Sequence, residues 1–441
     1  MIRSILVSVG ATILGIALVQ VANGFMGTFV AMSTAAAGFS PAGIGIVLAA
    51  YYAGYTLGAA TVAPILQRVG HIRLFAALAG LVAASISLQP VFTSAPAWIV
   101  IRLVTGFGCA GLFITAESWL NASSTPSNRG AIFAVYMVAI GAAFGGGQFL
   151  LNLAPPGSFE LFAAAAALFG ISLVPVALTR SAAPKLVESP RLKLGELRRL
   201  APVAFAGCIA TGLTSSVFYG LVPAYAQTQG LPAREISALM ATAIFGGLLF
   251  QVPVGKLSDL FDRRLVAAAI AGGLIVTAVI IALLPLNETL TLVLMFLFGG
   301  FMFTVYPVCV AHANDRVEPE RVVSVSGQLI LIHGIASFAG PILGTAVMGR
   351  AGIAGVYLYM AAVAFLFLVT ALWRAAKVDA PVHKDRPFVI LTERMGQPLA
   401  HVADEQAIVG GPDDGSNDAE QGLTPDPLDD AVAADLATER A

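Results

Sequence analysis

The chain has 441 residues, 58% of them hydrophobic and only 11% charged, with a formal net charge of −1. No soluble globular domain of this length is composed that way. The near-neutral charge, with basic residues spread over separate loops, also gives no nucleic-acid surface. Residues 1 to about 187 carry just two carboxylates, Glu117 and Glu160, so stretches such as Leu74 to Thr93 run through several helical turns without a charge. Hydrocarbon is the solvent such segments suit. The ten-residue alternation of a membrane β-barrel is absent.

In chain order, the first apolar run continues past signal-peptide length through Gln20 and Asn23 and reads as an uncleaved span. Cutting the apolar runs at their polar breaks predicts spans near 5–32, 42–66, 74–94, 97–120, 131–153 and 159–179. After a basic segment come 201–226, 234–256, 265–285, 289–312, 322–347 and 353–373. Each is long enough to cross about 30 Å of hydrocarbon. Lys and Arg collect on alternate connections: Arg68 and Arg73, Arg129, the run from Arg180 to Arg199, Lys256 with Arg263 and Arg264, and Arg316 with Arg321. The opposite connections hold Arg234 and Arg350 alone, which predicts an even span count with both termini cytoplasmic. A basic stretch after Trp373 leads into an acidic tail rich in Asp, Gly and Pro, expected to be disordered from Asp404 onward. Cys109, Cys208 and Cys309 fall inside spans without a close pair, so structural thiols are expected, with no disulfide, metal site or cofactor.

The halves match each other at a shift of 192 or 193: Phe25 and Gly27 on Phe218 and Gly220, the segment 63–67 on 255–259, Gly106 on Gly299, Asn121 on Asn314, and Gly141 on Gly334. Single glycine matches mean little, but a constant offset across separate landmarks marks a duplication. The expected fold class is therefore an all-α integral membrane protein of twelve transmembrane helices in two six-helix bundles with pseudo-two-fold symmetry. Its units are residues 1–180, a basic linker at 181–200, residues 201–373 and a tail at 374–441. Substrate would bind between the bundles, near mid-membrane.

The segment Gly255-Lys256-Leu257-Ser258-Asp259-Leu260-Phe261-Asp262-Arg263-Arg264 resembles the loop motif after the second helix of each half in the major facilitator superfamily. Asp262 replaces its second glycine, and the first-half copy has Gln67 at the Asp position. Arg102 with Gly106 and Gly108 is similar to the fourth-helix signature of that family, and Gly141 through Gly147 to its glycine-rich fifth helix. Glu117-Ser118-Trp119-Leu120-Asn121 with Arg129-Gly130, and Tyr306-Pro307-Val308, look like its YcaD-type bacterial branch. The resemblance covers residues 1 to about 373 and implies helices one, four, seven and ten around a central cavity. It also implies a gate role for the Asp259 motif, with Gly255, Arg263 and Arg264.

Arg102 lies one to two turns inside its span, where a buried guanidinium costs a few kcal/mol and needs compensation. It reads either as a cavity residue for an anionic group or as a structural bond to helix-end carbonyls. Glu117, about 22 Å further along the helix, belongs to the inner end and is expected to pair with Arg68, Arg73 or Arg129 in a lock, the alternative being a proton carrier. Among the uncharged polar residues within spans, Asn23, Tyr219 and Tyr306 are the preferred substrate contacts, with Gln148, Gln328 and His333 as further cavity candidates. Interhelical hydrogen bonding is the alternative for each. His333 could exchange protons. Apart from Arg102 and Glu117 at the inner end, no charge lies well inside the spans, so the cavity lacks the carboxylates a polycation would want, and no nucleophile-and-base pair or phosphate loop appears. The chain thus reads as a secondary transporter and not an enzyme. It is expected to work as a monomer in the bacterial inner membrane, moving a small neutral or mono-anionic solute by alternating access, with protons as the candidate coupling ion. The competing reading is a transporter-like sensor signalling through its tail.

Overall fold

The computed structural model describes residues 2–124, 128–178, 194–285, 287–317 and 321–377, together with Phe388. These belong to a compact unit, Met1–Val409. Most of the basic linker and, Phe388 apart, the predicted tail beyond Lys377 lie outside the described residues.

The described chain is helical. The first half comprises α1 (Ile2–Ala36), α2 (Pro41–Val69), α3 (His71–Leu88), α4 (Ala95–Ala122), α5 (Arg129–Gly147), which runs on into a 3-10 turn at Gln148–Asn152, and α6 (Phe159–Ala177). A short α7 (Leu194–Leu200) precedes the second half: α8 (Pro202–Thr228), α9 (Ala233–Leu260), α10 (Arg263–Leu283), α11 (Glu288–Asn314) and α12 (Val322–Lys377). Eleven helices are long and apolar enough to cross a membrane, the last with 53 residues in its apolar part. At about 1.5 Å per residue that length is near 80 Å, more than twice the hydrocarbon thickness, so it supplies two spans. They break where the sequence predicts, at Gly352, whose φ of 58° and ψ of −148° are not helical. Twelve spans result.

Local signals explain several helix starts. Ser40 accepts from the Gly43 N–H with Pro41 in the first turn of α2, and Asn287 accepts from the Leu290 N–H at α11. The two loop-motif copies turn the chain differently. Gly70 turns the chain with a φ of 85°, whereas its counterpart Asp262 keeps a φ of −60° and caps α10 by accepting from the Arg264 N–H. The substitution exchanges a left-handed turn for a side-chain cap.

The duplication is written in the packing. Gly54 lies on the carbonyl of Leu103 and Gly106 on that of Tyr51, so α2 and α4 touch backbone to backbone; a Cβ at either glycine would overlap the other helix. In the second half Gly246 lies on the carbonyl of Phe296 and Gly299 on that of Ala243, joining α9 to α11. Each of these residues follows its first-half counterpart by 192 or 193 positions. Without hydrophobic force between helices in lipid, small residues that permit close approach carry the association. Large apolar side chains such as Val100, Leu178 and Leu366 are more than half exposed on the outside, where lipid covers them.

The helices alternate in direction, so α1 starts at what we call the termini end and the loops after α1, α3, the 3-10 turn and α8 lie at the far end. The halves meet through α1 with α8, α2 with α12, and α5 with α9. These contacts repeat the same offset: Gly141 abuts Leu248, and Gly334 abuts Thr56. Nearer the far end, Gly45 packs on Thr345 and Pro341, Gly220 on Leu48, and the Asn152 Nδ2 donates to the Ser237 Oγ at 3.2 Å.

Candidate functional site

Three adjoining cavities lie between the halves, and Tyr219 of α8 lines all of them. One, of about 420 Å³, is walled by Tyr51, Tyr52 and Tyr55 of α2 and by Ser215, Ile330, His333 and Ser337. A second, of about 560 Å³, lies between Gln20, Ile140 and Phe144 on one side and Ile244, Leu248, Gln251 and Phe303 on the other. The third, of about 390 Å³, holds Asn23, Tyr51, Arg102 and Phe144 with Gly220.

A polar chain runs through the first-half wall. The Arg102 guanidinium stands 4.5 Å above the Tyr51 ring centroid, the Tyr51 Oη donates to the Asn23 Oδ1 at 3.2 Å, and the Asn23 Nδ2 donates to the Gln20 Oε1 at 3.3 Å. Arg102 is 4% exposed. The face of an aromatic ring is electron-rich and offsets part of the cost of burying that cation. Across the gap, Tyr219 stacks on Phe303 at 5.5 Å between centroids and meets Phe144 edge-on at 5.6 Å. The His333 Nδ1 lies 3.2 Å from the Thr211 Oγ1, and its ring packs edge-on against Tyr306 at 5.2 Å. The site therefore offers flat aromatic faces, uncharged hydrogen-bonding groups and one cation.

The structure brings four of the predicted cavity residues to these walls: Asn23, Arg102, Tyr219 and His333. Tyr306 stands behind His333 and is buried. Gln148 lies off the cavities, fully buried, where its Nε2 donates to the Gly24 carbonyl at 2.7 Å and pins the end of α5 to α1. Gln328 is half-buried on α12 and lines none of the three. Sequence reasoning passed over Tyr51, Tyr52, Tyr55, Phe144 and Phe303. A signal existed for the first three: three of nine tyrosines fall within five residues, and Tyr51 and Tyr55 are one turn apart on one helix face.

Toward the termini end, Glu117 is fully buried and accepts from the Tyr136 Oη at 3.1 Å, a partner the sequence reading did not name. Arg68 and Arg73 are exposed, as is Gln67, while the Arg129 side chain lies outside what is described. Next to Glu117, the Ser118 Oγ lies 2.9 Å from the His71 Nε2. In the second half, Arg263 bridges Asp315 at 2.8 Å and Asp259 at 3.2 Å, and Arg264 grips Asp262 at 2.6 Å. Burial of Asp262 works against its charge, but the bonds from the Arg264 side chain and backbone outweigh that and hold the carboxyl below its usual value.

Two symmetric six-helix bundles enclosing a polar and aromatic cavity define a membrane transport protein. The chain belongs to the Major Facilitator Superfamily, whose family model matches residues 6–329 and 204–401. It is 27% identical over 374 residues to the uncharacterised MFS-type transporter YcaD of Salmonella arizonae, spanning 83% of this chain and 96% of that protein. The YcaD of Escherichia coli is 26% identical over 373 residues, with the same coverage. Among solved structures, a mutant of the nucleoside transporter NupG superposes with a TM-score of 0.72 at 14% identity, covering 84% of this chain and all of NupG. A bacterial homologue of the human lysosomal transporter Spinster, inward-facing and unoccupied, gives 0.64 at 14% identity over 82% of this chain and 95% of its own. These similarities match the resemblance read from the loop and helix motifs.

Proposed function

We propose that the chain is a secondary transporter that carries a small, neutral or mono-anionic solute with a flat ring through the cavities around Tyr219. Residues 1–180 and 201–373 act as the two bodies that rock against each other. The observation that carries the reading is the wall itself. Tyr51, Tyr52, Tyr55, Phe144 and Phe303 surround Tyr219, and Gln20, Asn23, Gln251 and Ser215 supply hydrogen bonds without a carboxylate. Aromatic walls favour flat ligands through stacked and edge-on contacts, and a cavity without anionic side chains disfavours polycations. Nucleosides, the cargo in the name of the like-folded NupG, share this chemistry of an uncharged, ring-bearing, hydrogen-bonding solute. Where the solute is anionic, Arg102 is its counter-charge.

The loop-charge asymmetry supports both termini being cytoplasmic in a bacterial inner membrane. His333 is the candidate carrier of a coupled proton, because it faces the cavity beside Tyr51 and Ser215. The sensor alternative has no support from the transporter relatives.

The test is a thermal-shift screen of the purified full chain with nucleosides, aromatic carboxylates, sugars and polyamines at matched concentration, followed by flux of the hits in vesicles. A ligand that binds the folded state raises the apparent Tm. Stabilisation and flux by ring-bearing neutral or singly negative solutes are expected; selective transport of a polyamine would refute the proposal.

A further inference from the structure

The face through which α9 meets α5 continues beyond the contact. Ile244, Phe245 and Leu248 abut Gly145 and Gly141. Helix periodicity brings the residue seven positions after Leu248, Gly255, onto the same face, and Asp259 one turn further toward the termini end. That stretch of α9 is occupied by a residue of the C-terminal tail. The Phe388 ring lies so close over Gly255 that a Cβ there would overlap it. The Phe388 N–H donates to the Asp259 Oδ1 at 2.8 Å, an oxygen that also accepts from Arg263. The ring packs onto the second-half core cluster that includes Val254. Three contacts of different kinds thus seat one tail residue on one helix face: a ring on a glycine, a backbone bond to a carboxylate, and apolar packing.

We propose that Phe388 is a wedge, by which the tail docks on α9 at Gly255 and Asp259 and keeps the termini ends of α5 and α9 from closing together. Packed helices approach to about 8–10 Å between axes only where side chains make room. Gly255 leaves room on α9 for one bulky group, and the Phe388 ring fills it. Closure of this end then requires the tail to leave, so the tail sets the balance between the two open states of the transporter.

The proposal rests on the two-body motion proposed above, and the experiment separates the two. Spin labels are placed at Ala131→Cys and Lys256→Cys near the termini end, and in a second sample at Leu153→Cys and Arg234→Cys near the far end. The three buried native cysteines are replaced by alanine in the full chain. Distance distributions are measured in lipid nanodiscs with and without Phe388→Ala. Loss of the half-buried ring is expected to raise the population with a short 131–256 distance about fivefold. A synthetic peptide covering residues 380–395 with Phe388 intact should reverse the change. An unchanged 131–256 distribution, alongside two populations at the far end, overturns the wedge and leaves the motion standing. A single population for both pairs in both chains overturns the two-body motion and the wedge with it.

Discussion

Replacing Gly54 by alanine inserts a methyl group where α2 lies on the Leu103 carbonyl, and Gly246→Ala does the same between α9 and the Phe296 carbonyl. The added Cβ would also stand 3.0 Å from the Leu103 Cα, or 3.1 Å from the Phe296 Cα, so neither helix can yield by turning a side chain. The helices must part, and overpacking of that kind costs about 1–3 kcal/mol. Alanine also favours a helix over glycine by about 1 kcal/mol, a gain common to every helical Gly→Ala change. The control is Gly80→Ala in α3, which meets nothing within 4 Å and keeps the gain alone. The gain cancels in the comparison, so Gly54→Ala and Gly246→Ala should each fall about 1–3 kcal/mol below Gly80→Ala in stability. Equilibrium unfolding in mixed micelles reads the difference, and the symmetric pair should behave alike. If either variant proves as stable as Gly80→Ala, the backbone-to-backbone contact is not what joins these helices.

Arg102→Gln should weaken binding of an anionic solute about tenfold or more while changing that of an uncharged analogue less than about threefold, since a hydrogen bond to a charged group is worth about 1.5–3 kcal/mol; isothermal titration of a matched pair decides, and equal losses would remove Arg102 from the site. Cysteine labelling with an impermeant reagent on intact cells should mark Ala35→Cys and leave Pro190→Cys unmarked; equal labelling would contradict the twelve-span topology. The Asp262 cap is linked to pH. Its folded pKa lies below the unfolded value of about 3.9, so the cap's contribution is fully present above that pH and fades as pH falls through the folded pKa. Asp262→Asn should therefore lower the Tm at pH 7 and converge with the parent under strong acid, and a constant difference across that range would contradict the linkage.

Much of the membrane architecture was legible in the residues. A segment that must satisfy its backbone inside lipid has to be a helix of about twenty apolar residues, and that requirement is local, so composition and run length reveal it. The offset of the halves was legible for a related reason: Gly106 and Gly299 recur because both copies need the same backbone contact, and a need for no side chain leaves a glycine in the sequence. Resemblance in the Gly255–Arg264 motif pointed to the family. What no local signal carried was the assignment of polar side chains. Asn23 and Gln148 look alike as lone polar residues in apolar runs, yet Asn23 lines a cavity and Gln148 ties α5 to α1 through the Gly24 carbonyl. Glu117 meets Tyr136 and Phe388 meets Asp259 across gaps of 19 and 129 residues in sequence. Such pairings depend on how helices pack and rotate against one another, a choice made by the whole set of close contacts at once. The sequence alone determined the spans, the duplication and the family; the tertiary structure decided which buried groups face the path between the bundles.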